Sequence, residues 1–292
     1  MSRMLVTGVS GLVGQALTAA IGARHELIGV GRRALVDSRL AASVILDLTT
    51  DWPTAALPNR IDVVIHLAQA DDWESPDSAL DIFAVNAATT VRLLDYAARA
   101  GAAHFVLMST GGLYGSSAAS LSEASPLCPP AGRLGYYFET KRTAESFALL
   151  YGDRLKVSIL RPFFIYGAGQ RTPKLVPRLV EKVKTGAVVT VRGECGTRLN
   201  PVHVSDVVKV IDACVAQGYS GVVNVAGGQV TSILAMAQRI GGLLGRAPQL
   251  GFEPGAAEQY VSETSLMCRI IGATPMGFDE GIADLLGQVG AR

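Results

Sequence analysis

The sequence has little charge, and only 17% of its 292 residues are Asp, Glu, Lys or Arg. The 26 basic and 25 acidic residues nearly cancel, which gives no electrostatic case for a nucleic-acid or membrane surface. Apolar residues make up 49% of the chain, yet no uninterrupted apolar stretch approaches the ~18 residues that a membrane helix needs. The N-terminus has no signal-peptide layout. We therefore expect a soluble, cytoplasmic protein.

Cysteine and histidine are also scarce, with four of each. The cysteines stand far apart, and none lies in the Cys-x-x-Cys or Cys/His spacing that is typical of a zinc site. We expect no bound metal, and reduced thiols in a reducing compartment. The four cysteines are Cys128, Cys195, Cys214 and Cys268.

The first half of the chain alternates short apolar runs with helix-like stretches, and its length suffices for one large or two joined domains. Near-continuous apolar strands separated by helices predict an α/β fold, a doubly wound parallel sheet covered on both faces. The predicted strands are 3–7, 26–30, 43–46, 62–66, 104–108 and 156–160. The predicted helices are 12–23, 78–100 and 135–151.

This alternation ends after residue 161. The segment 167–177 is rich in glycine, proline and charge, and it predicts a loop that leaves the sheet. We expect a main domain over 1–166, with returns to its sheet near 201–226, and a smaller C-terminal lid over 167–292. The elements predicted there are helices at 175–185, 204–217, 232–244 and 279–286, and strands at 188–191 and 221–225.

A glycine-rich turn, Thr7-Gly8-Val9-Ser10-Gly11-Leu12-Val13-Gly14, joins the first predicted strand to the first helix. Gly8 permits the sharp turn, Gly11 lets a pyrophosphate approach bare backbone, and Gly14 lets helix and strand pack closely. The helix N-terminus offers unpaired N–H groups to phosphate. The pattern predicts a dinucleotide-binding Rossmann domain. The alternative is a glycine-rich turn in some other α/β protein.

The end of the second predicted strand bears on the choice of nucleotide. An NAD site places an acid about twenty residues after the first glycine, where it bonds the ribose 2′-hydroxyl. Here the stretch contains Arg32 and Arg33, and the first acid is Asp37. Two arginines suit a 2′-phosphate, which favours NADP over NAD, although they can also be solvated loop residues. Asp47, after the third strand, can accept from an adenine amino group or cap the next helix.

Tyr137 and Lys141 stand four residues apart in a predicted helix, so their side chains share a face, one turn apart. A lysine ammonium beside a phenol favours the phenolate, which suits the tyrosine to proton transfer near neutral pH. With a dinucleotide site upstream, the pair predicts hydride-transfer chemistry. The alternative is an aromatic side chain that only packs the helix.

Several motifs, taken in order and spacing, resemble the extended short-chain dehydrogenase/reductases of the NAD-dependent epimerase/dehydratase family. The resemblance runs nearly end to end and implies a Rossmann domain with a smaller substrate-binding region. The motifs are Thr7-Gly8 to Gly14, Asp62-Val-Val-Ile-His-Leu-Ala68, Asn86, Ser109-Thr110-Gly-Gly-Leu-Tyr114-Gly115, Tyr137 to Lys141, Leu160-Arg-Pro-Phe-Phe-Ile-Tyr-Gly167, Gly196-Thr-Arg-Leu-Asn-Pro-Val-His-Val-Ser-Asp206 and Asn224-Val-Ala-Gly-Gly228.

The resemblance assigns roles to the central residues. Tyr137 is similar to the family's proton donor or acceptor, and Lys141 to the lysine that holds the nicotinamide ribose. The third member is a Ser or Thr at the end of the fifth strand, and the register favours Thr110. Ser109 is one residue away, but a strand alternates its faces, so only one of the two can point at the substrate.

Two departures from the family pattern reduce the number of reactions that the resemblance implies. Family dehydratases carry Asp-Glu directly after the catalytic threonine, where this chain has Gly111 and Gly112, so 4,6-dehydration is not expected. Phe164 stands where nucleotide-sugar epimerases typically have an asparagine that contacts the substrate diphosphate. Arg198 resembles the family arginine that grips this diphosphate, with a plain surface arginine as the alternative.

The resemblance implies three sets of site residues and no metal ligand. The catalytic residues are Thr110, Tyr137 and Lys141. The substrate residues are Thr110, Gly111, Phe164 and Arg198. The cofactor residues are Gly8, Ser10, Gly11, Leu12, Val13, Arg32, Arg33, Asp47, Leu48, Leu67, Ala68, Gln69, Tyr137, Lys141 and Pro162.

The sequence thus predicts an NADP-dependent reductase of a keto-sugar, nucleotide-linked in our interpretation. A nucleotide-sugar 4-epimerase that keeps its NAD(P) tightly bound is the near alternative, and a non-catalytic dinucleotide-binding sensor or scaffold is the second. The family also implies a homodimer through the helices predicted at 78–100 and 135–151. Substrate identity and stereochemistry are not encoded in these motifs.

Overall fold

The computed structural model describes residues 1–34, 37–70, 78–128, 134–170, 172 and 174–290. The chain divides into two compact units. The first unit comprises Met1–Leu113, Leu127–Arg161 and Val208–Val223. The second comprises Tyr114–Pro126, Pro162–Val207 and Asn224–Arg292.

The main sheet has seven strands in the order β3-β2-β1-β4-β5-β6-β9. Its first six strands pair in parallel with their neighbours, which confirms the predicted doubly wound sheet. The order reverses between β1 and β4, the switch point where ligands bind in such sheets. The strands are β1 Arg3–Thr7, β2 Glu26–Gly31, β3 Ala42–Ile45, β4 Val63–His66, β5 His104–Met108, β6 Lys156–Pro162 and β9 Gly221–Val225.

Nine α-helices are present in the part of the chain that the structure describes. None of these helices is both long enough and apolar enough to cross a membrane. They are α1 Leu12–Ile21, α2 Ala79–Phe83, α3 Thr89–Arg99, α4 Gly135–Leu150, α5 Leu175–Thr185, α6 Val204–Gln217, α7 Ile233–Leu244, α8 Ser265–Ile271 and α9 Phe278–Gly290.

The core of the first unit explains why its strands read as apolar runs. All five residues of β5 are buried, including His104, and Leu5, Val64 and Phe105 are fully enclosed. Strands that are buried on both faces lose the polar/apolar alternation of a half-exposed sheet. The same core takes in apolar residues of α3 and α4, such as Leu94 and Ala144.

The helix predicted over 78–100 is interrupted. A turn of π-helix, Ala84–Ala88, separates α2 from α3. At its centre Asn86 is buried; its Oδ1 accepts from the Ala70 backbone N–H at 3.3 Å, and its Nδ2 donates to Thr140 Oγ1 at 3.1 Å. These tertiary hydrogen bonds link the loop after β4 to α4. The apolar periodicity of the sequence gives no sign of these hydrogen bonds, so the pattern predicted one continuous helix.

The second unit has its own core, built around α5 and α7. Val176, Leu179 and Val183 recur on one face of α5 and share a buried cluster with Met236 and Ile240 of α7. Two small sheets complete the unit, with strand orders β10-β8-β12 and β11-β7. Their strands are β7 Val189–Arg192, β8 Arg198–Leu199, β10 Thr231–Ser232, β11 Leu250–Glu253 and β12 Gln259–Tyr260.

The glycine turn yields a stability prediction. A Cβ on Gly14 would lie 2.4 Å from Gly8 O and 2.5 Å from Val9 Cα, both in the backbone. We expect Gly14→Ala to lower the free energy of unfolding by about 1–3 kcal/mol, because backbone atoms must shift to make room. The measurement is urea unfolding followed by circular dichroism.

The matched control is Gly242→Ala in α7. Gly242 is exposed, and a Cβ there meets nothing within 4 Å. Alanine should therefore raise the unfolding free energy by about 0.5–1 kcal/mol through helix propensity. A Gly14→Ala protein as stable as the wild type would show that α1 does not press on the turn.

Candidate active site

The glycine turn fits tightly between β1 and the end of β4. Gly8 has φ +68, and a Cβ there would lie 2.7 Å from the Ala68 backbone nitrogen. Only a glycine tolerates both the left-handed backbone and this close approach. A Cβ on Gly11 would meet only Gly8 O, at 3.2 Å, so this side of the turn is more open. No side chain among the described residues caps α1 at Gly11, which leaves its first-turn N–H groups available to an anion.

A buried cluster joins the ends of β1 and β4. Thr7 Oγ1 lies 2.7 Å from His66 Nδ1 and accepts from the Ala68 backbone N–H at 3.2 Å. Burial, reinforced by the nearby Lys141 ammonium, lowers the pKa of His66 to about 3. His66 is therefore neutral near pH 7 and acts as a packing residue rather than as a proton donor.

The end of β2 exposes two arginines. Arg32 and Arg33 follow Gly31 directly and are both exposed. The first acid after them, Asp37, is engaged by Arg39, whose Nε and Nη2 donate to it at 2.8 and 2.7 Å. These hydrogen bonds lower the pKa of Asp37 to about 2. Asp37 is thus committed to a neighbouring residue.

Asp47 forms a local turn after β3. Its Oδ1 accepts from the backbone N–H of Thr49 at 3.0 Å and from the Thr49 hydroxyl at 2.8 Å. These two hydrogen bonds lower its pKa, and the Arg32 charge contributes weakly in the same direction. The remaining residues that the sequence predicts for the cofactor lie at or after the ends of β1, β3, β4 and β6. Ser10 is exposed, Leu12, Val13 and Ala68 are partly buried, and Leu48, Leu67 and Pro162 are buried.

Tyr137 and Lys141 lie on the buried face of α4, as their spacing predicts. The Tyr137 hydroxyl donates to Gln69 Oε1 at 3.1 Å, beyond the end of β4. Lys141 Nζ donates to Met108 O at 3.0 Å, at the end of β5, and lies 5.9 Å from the centre of the Tyr137 ring. The structure therefore brings the pair together with Gln69 at the C-terminal edge of the sheet.

Burial lowers the pKa of Lys141 to about 8, and the negative charge of Glu145 opposes this effect. An ammonium in an apolar interior needs hydrogen-bond acceptors and counter-charge. Lys141 donates to the Met108 carbonyl, and the Glu145 carboxylate, one turn further along α4, supplies the negative charge. Its proton is more labile than that of a solvated lysine.

Ser109 and Thr110 have different surroundings. Ser109 is buried, and its hydroxyl donates to Glu145. Thr110 is half-buried, and its Oγ1 accepts a hydrogen bond from the Gly112 backbone N–H at 3.1 Å, which does not use the hydroxyl hydrogen. Of the two residues, Thr110 is therefore the one whose hydroxyl can donate a hydrogen bond to a ligand.

A buried ion pair that the sequence patterns do not predict lies next to these residues. Arg161 donates to Glu145 through Nε at 2.9 Å and through Nη2 at 2.6 Å, and both side chains are buried. Two features of the sequence could have drawn attention to these residues. Glu145 stands four residues after Lys141, and Arg161 belongs to the family-like motif 160–167. Nothing in the sequence alone shows that the two meet.

The substrate residues Phe164 and Arg198 belong to the second unit. Phe164 has φ +48 and is the single non-glycine residue with positive φ in the described ranges. Its ring is 37% exposed and packs edge-on to Tyr260, with centroids 5.8 Å apart. Arg198 is exposed on β8, where it pairs with Gln259 of β12. Among the described residues no group of three or more His, Cys, Asp or Glu is placed to hold a metal.

Comparison with known proteins gives a consistent family. The sequence model of the NAD dependent epimerase/dehydratase family matches residues 4–226. The chain is 27% identical to an uncharacterized UDP-glucose epimerase, YtcB, of Bacillus subtilis, covering 86% of this chain and 84% of the relative. It is 25% identical to a dTDP-4-dehydro-6-deoxy-D-allose reductase of a Streptomyces species, covering 96% and 94%.

A solved structure agrees over the whole chain. MoeE5, determined in complex with UDP-glucose and NAD, superposes with a TM-score of 0.84 at 26% identity and covers 99% of both chains. The family match spans well over half of the sequence, and the glycine turn has the close backbone approaches that a dinucleotide site needs. The chain belongs to the NAD-dependent epimerase/dehydratase family, and it is an NAD(P)-dependent enzyme of the epimerase, dehydratase or reductase type.

Proposed function

We propose that the protein is an NADP-dependent reductase of a keto-sugar carried on a nucleoside diphosphate. The observation that carries the proposal is the cluster at the edge of the first unit's sheet. It consists of the Tyr137 phenol and the Lys141 ammonium, which lies 5.9 Å from the centre of the Tyr137 ring and donates to Met108 O, two residues before Thr110. Phenol, ammonium and hydroxyl are the groups that ketone reduction needs besides a hydride donor.

In this proposal the chain's own residues manage the proton. The dinucleotide, when bound, supplies the hydride. Tyr137 protonates the oxygen of the former ketone, while Thr110 donates a hydrogen bond to that oxygen as negative charge develops on it. Lys141 stabilises the phenolate that remains on Tyr137. The turn Gly8 to Gly14 would hold the pyrophosphate, and Lys141 would also contact the nicotinamide ribose.

The preference for NADP rests on the end of β2. Arg32 and Arg33 are exposed where the ribose 2′-position of a dinucleotide lies in this fold. Asp37, the acid that could bind a free 2′-hydroxyl, is held by two hydrogen bonds from the Arg39 side chain. Known structural relatives were solved with NAD, so this choice needs its own measurement.

The geometry argues against dehydration. Residues 111 and 112 are glycines where family dehydratases carry an acid pair. A Cβ on Gly112 would lie 2.4 Å from Phe138 Cε1, so the Phe138 ring already fills that space. The chain therefore lacks both the carboxylates and the room for one of them.

A nucleotide-linked substrate is supported by the relatives and by Arg198. The reductase relative is named for a dTDP sugar, and MoeE5 was solved with UDP-glucose. Exposed Arg198 stands in the register of the family's diphosphate-binding arginine. A thermal-shift panel of NAD, NADP, UDP and dTDP tests this step, since a ligand that binds only the native state raises the melting temperature.

The near alternative is a nucleotide-sugar 4-epimerase, because the relative YtcB is named as a UDP-glucose epimerase. An epimerase regenerates its cofactor in each cycle and has reason to keep it bound. Dinucleotide absorbance that co-elutes with the protein through gel filtration, with activity that needs no added cofactor, would favour the epimerase. Stoichiometric NADPH oxidation that depends on added ketone would favour the reductase.

We predict that Tyr137→Phe lowers kcat about 10²–10⁴-fold, because the phenolic proton is lost while the ring remains. NADPH affinity should stay within a factor of three, which calorimetry can check. The assay follows NADPH absorbance with a dTDP-4-dehydro-6-deoxy sugar. Tyr151→Phe, at the end of the same helix, is the control and should keep full turnover. An unimpaired Tyr137→Phe enzyme would contradict the proposal and favour a sensor or scaffold.

We predict that the double variant Arg32→Ala/Arg33→Ala binds NADPH about 10–100-fold more weakly, because charge-assisted hydrogen bonds to the 2′-phosphate disappear. NADH affinity should be unchanged. Arg60→Ala, an exposed arginine elsewhere in the first unit, controls for net charge. Isothermal titration measures both affinities. A wild type that prefers NADH would overturn the NADP assignment.

We also propose a homodimer through α2 and α4. Large apolar side chains are exposed on these helices, among them Leu80, Phe83, Phe147 and Leu150. Burying them against a second copy would remove apolar surface from water. Light scattering should give twice the chain mass for the wild type and a monomer for Phe83→Glu/Phe147→Glu. Leu243→Glu on α7 is the control and should stay dimeric; a monomeric wild type would refute the dimer.

A further inference from the structure

Three residues at successive turns of α4 lie on its buried face. Tyr137, Lys141 and Glu145 are spaced four apart, and all three are buried. Tyr137 and Lys141 have roles in the proposed chemistry, whereas Glu145 has none so far. A buried carboxylate needs partners, and Glu145 obtains two forked hydrogen bonds from Arg161 on β6.

Glu145 also contacts the strand that carries Thr110. The Ser109 hydroxyl donates to Glu145, and the preceding residue, Met108, accepts from Lys141 Nζ. Two consecutive residues of the chain at the end of β5 are thus tied to two consecutive turns of α4. The Ser109 backbone N–H donates to Leu160 O at 2.7 Å, which adds β6 to the same assembly. Thr110 is the next residue along.

We infer that Glu145 is a positioning residue for the proton-transfer pair. Pinned by Arg161, its carboxylate holds the end of β5, and with it Thr110, against α4. It also supplies the negative charge that the buried Lys141 ammonium faces. The inference rests on the proposed function for the meaning of Lys141 and Thr110, but the contacts themselves lie wholly within the first unit.

Glu145 acts as the counter-ion of Lys141 through its negative charge, one helical turn away on α4. On α4 Lys141 faces the Tyr137 phenol and the Glu145 carboxylate. From β4 it faces His66, which burial keeps neutral. Arg161 on β6 is engaged with Glu145. The carboxylate opposes the burial that lowers the pKa of Lys141 to about 8, so without it Lys141 would lose its proton at lower pH.

The first experiment reads Lys141 directly, by NMR of ¹³Cε-labelled lysine in the full-length protein with and without NADPH. The chain has six lysines, and Lys141 is the one that is buried; Lys141→Arg assigns its signal. In Glu145→Gln, which keeps shape and an acceptor, the titration midpoint should fall by roughly one pH unit. Glu139→Gln, an exposed carboxylate on the same helix, is the matched control and should leave it unchanged.

The second experiment separates charge from position. In the wild type Lys141 is half-protonated near pH 8, so a midpoint one unit lower in Glu145→Gln leaves about a fifth as much protonated Lys141 at that pH. We therefore expect kcat of Glu145→Gln at pH 8 to be roughly fivefold lower than displacement of Thr110 alone would make it. At pH 6 the change of midpoint should add little further loss. Ser109→Ala keeps the charge but cuts the tie to β5. It should lower kcat several-fold equally at both pH values, with the KM for NADPH unchanged. Glu145→Asp should restore the titration midpoint but only part of kcat.

The outcomes decide the inference. An unmoved Lys141 midpoint in Glu145→Gln, or a Ser109→Ala enzyme with full kcat, would overturn it. If Glu145→Gln fails to fold because Arg161 is left unpaired, the double variant Glu145→Gln/Arg161→Met removes both buried charges. Its Lys141 midpoint should still fall, by less than in Glu145→Gln, because the charge that acts on Lys141 is that of Glu145; an unmoved midpoint there would also overturn the inference. The NMR result needs no turnover. A shifted midpoint in a protein that reduces no ketone would therefore sink the proposed function and leave the counter-ion role standing.

Discussion

The hydrogen bond from the Lys141 ammonium to the Met108 carbonyl is the interaction on which the site of the first unit depends. A buried ammonium is tolerated only with acceptors and counter-charge, so α4 must hold this turn against the end of β5. The helix geometry then places Tyr137 one turn earlier on the same face, where its hydroxyl meets Gln69. One electrostatic requirement thereby fixes the position of the phenol relative to two strand ends.

The glycine turn and the helix that carries Tyr137 and Lys141 are also connected through hydrogen bonds within the first unit. Thr7 at the end of β1 bonds the backbone of Ala68, and two residues further on Ala70 donates to Asn86. Asn86 in turn donates to Thr140, the neighbour of Lys141 on α4. The backbone that would receive the pyrophosphate and the helix that carries the phenol therefore belong to one continuous framework. Such a framework suits chemistry that needs fixed distances between a dinucleotide and a proton donor.

Local pattern was enough to predict the parallel sheet, the glycine turn and the shared face of Tyr137 and Lys141. Each of these follows from spacing along a single strand or helix. The features that the sequence did not predict depend on residues far apart in the chain. Glu145 meets Arg161, Asn86 meets Thr140 across a turn of π-helix, and the Phe138 ring fills the space beside Gly112. No periodicity encodes such tertiary pairings, and they are the contacts that tune the site.

The choice among reactions must come from residues outside this shared framework. Relatives named as an epimerase and as a reductase match 86% and 96% of the chain, so the fold alone does not separate these reactions. Phe164 is one of the two positions where the sequence pattern departs from the one that the resemblance implies. The backbone N–H of Phe163 donates to Val225 O and that of Tyr166 donates to Val202 O, so the segment is held on both sides of Phe164. Phe164 is thereby kept in a left-handed backbone conformation, which asparagine tolerates better than phenylalanine. The strain lies in the Phe164 backbone, and strain of this kind persists where the surroundings over-determine it. The partly exposed Phe164 ring presents an apolar face where an asparagine would present an amide. In the proposed function, substrate selection is therefore to be sought in the second unit, whereas the residues proposed for proton transfer belong to the first.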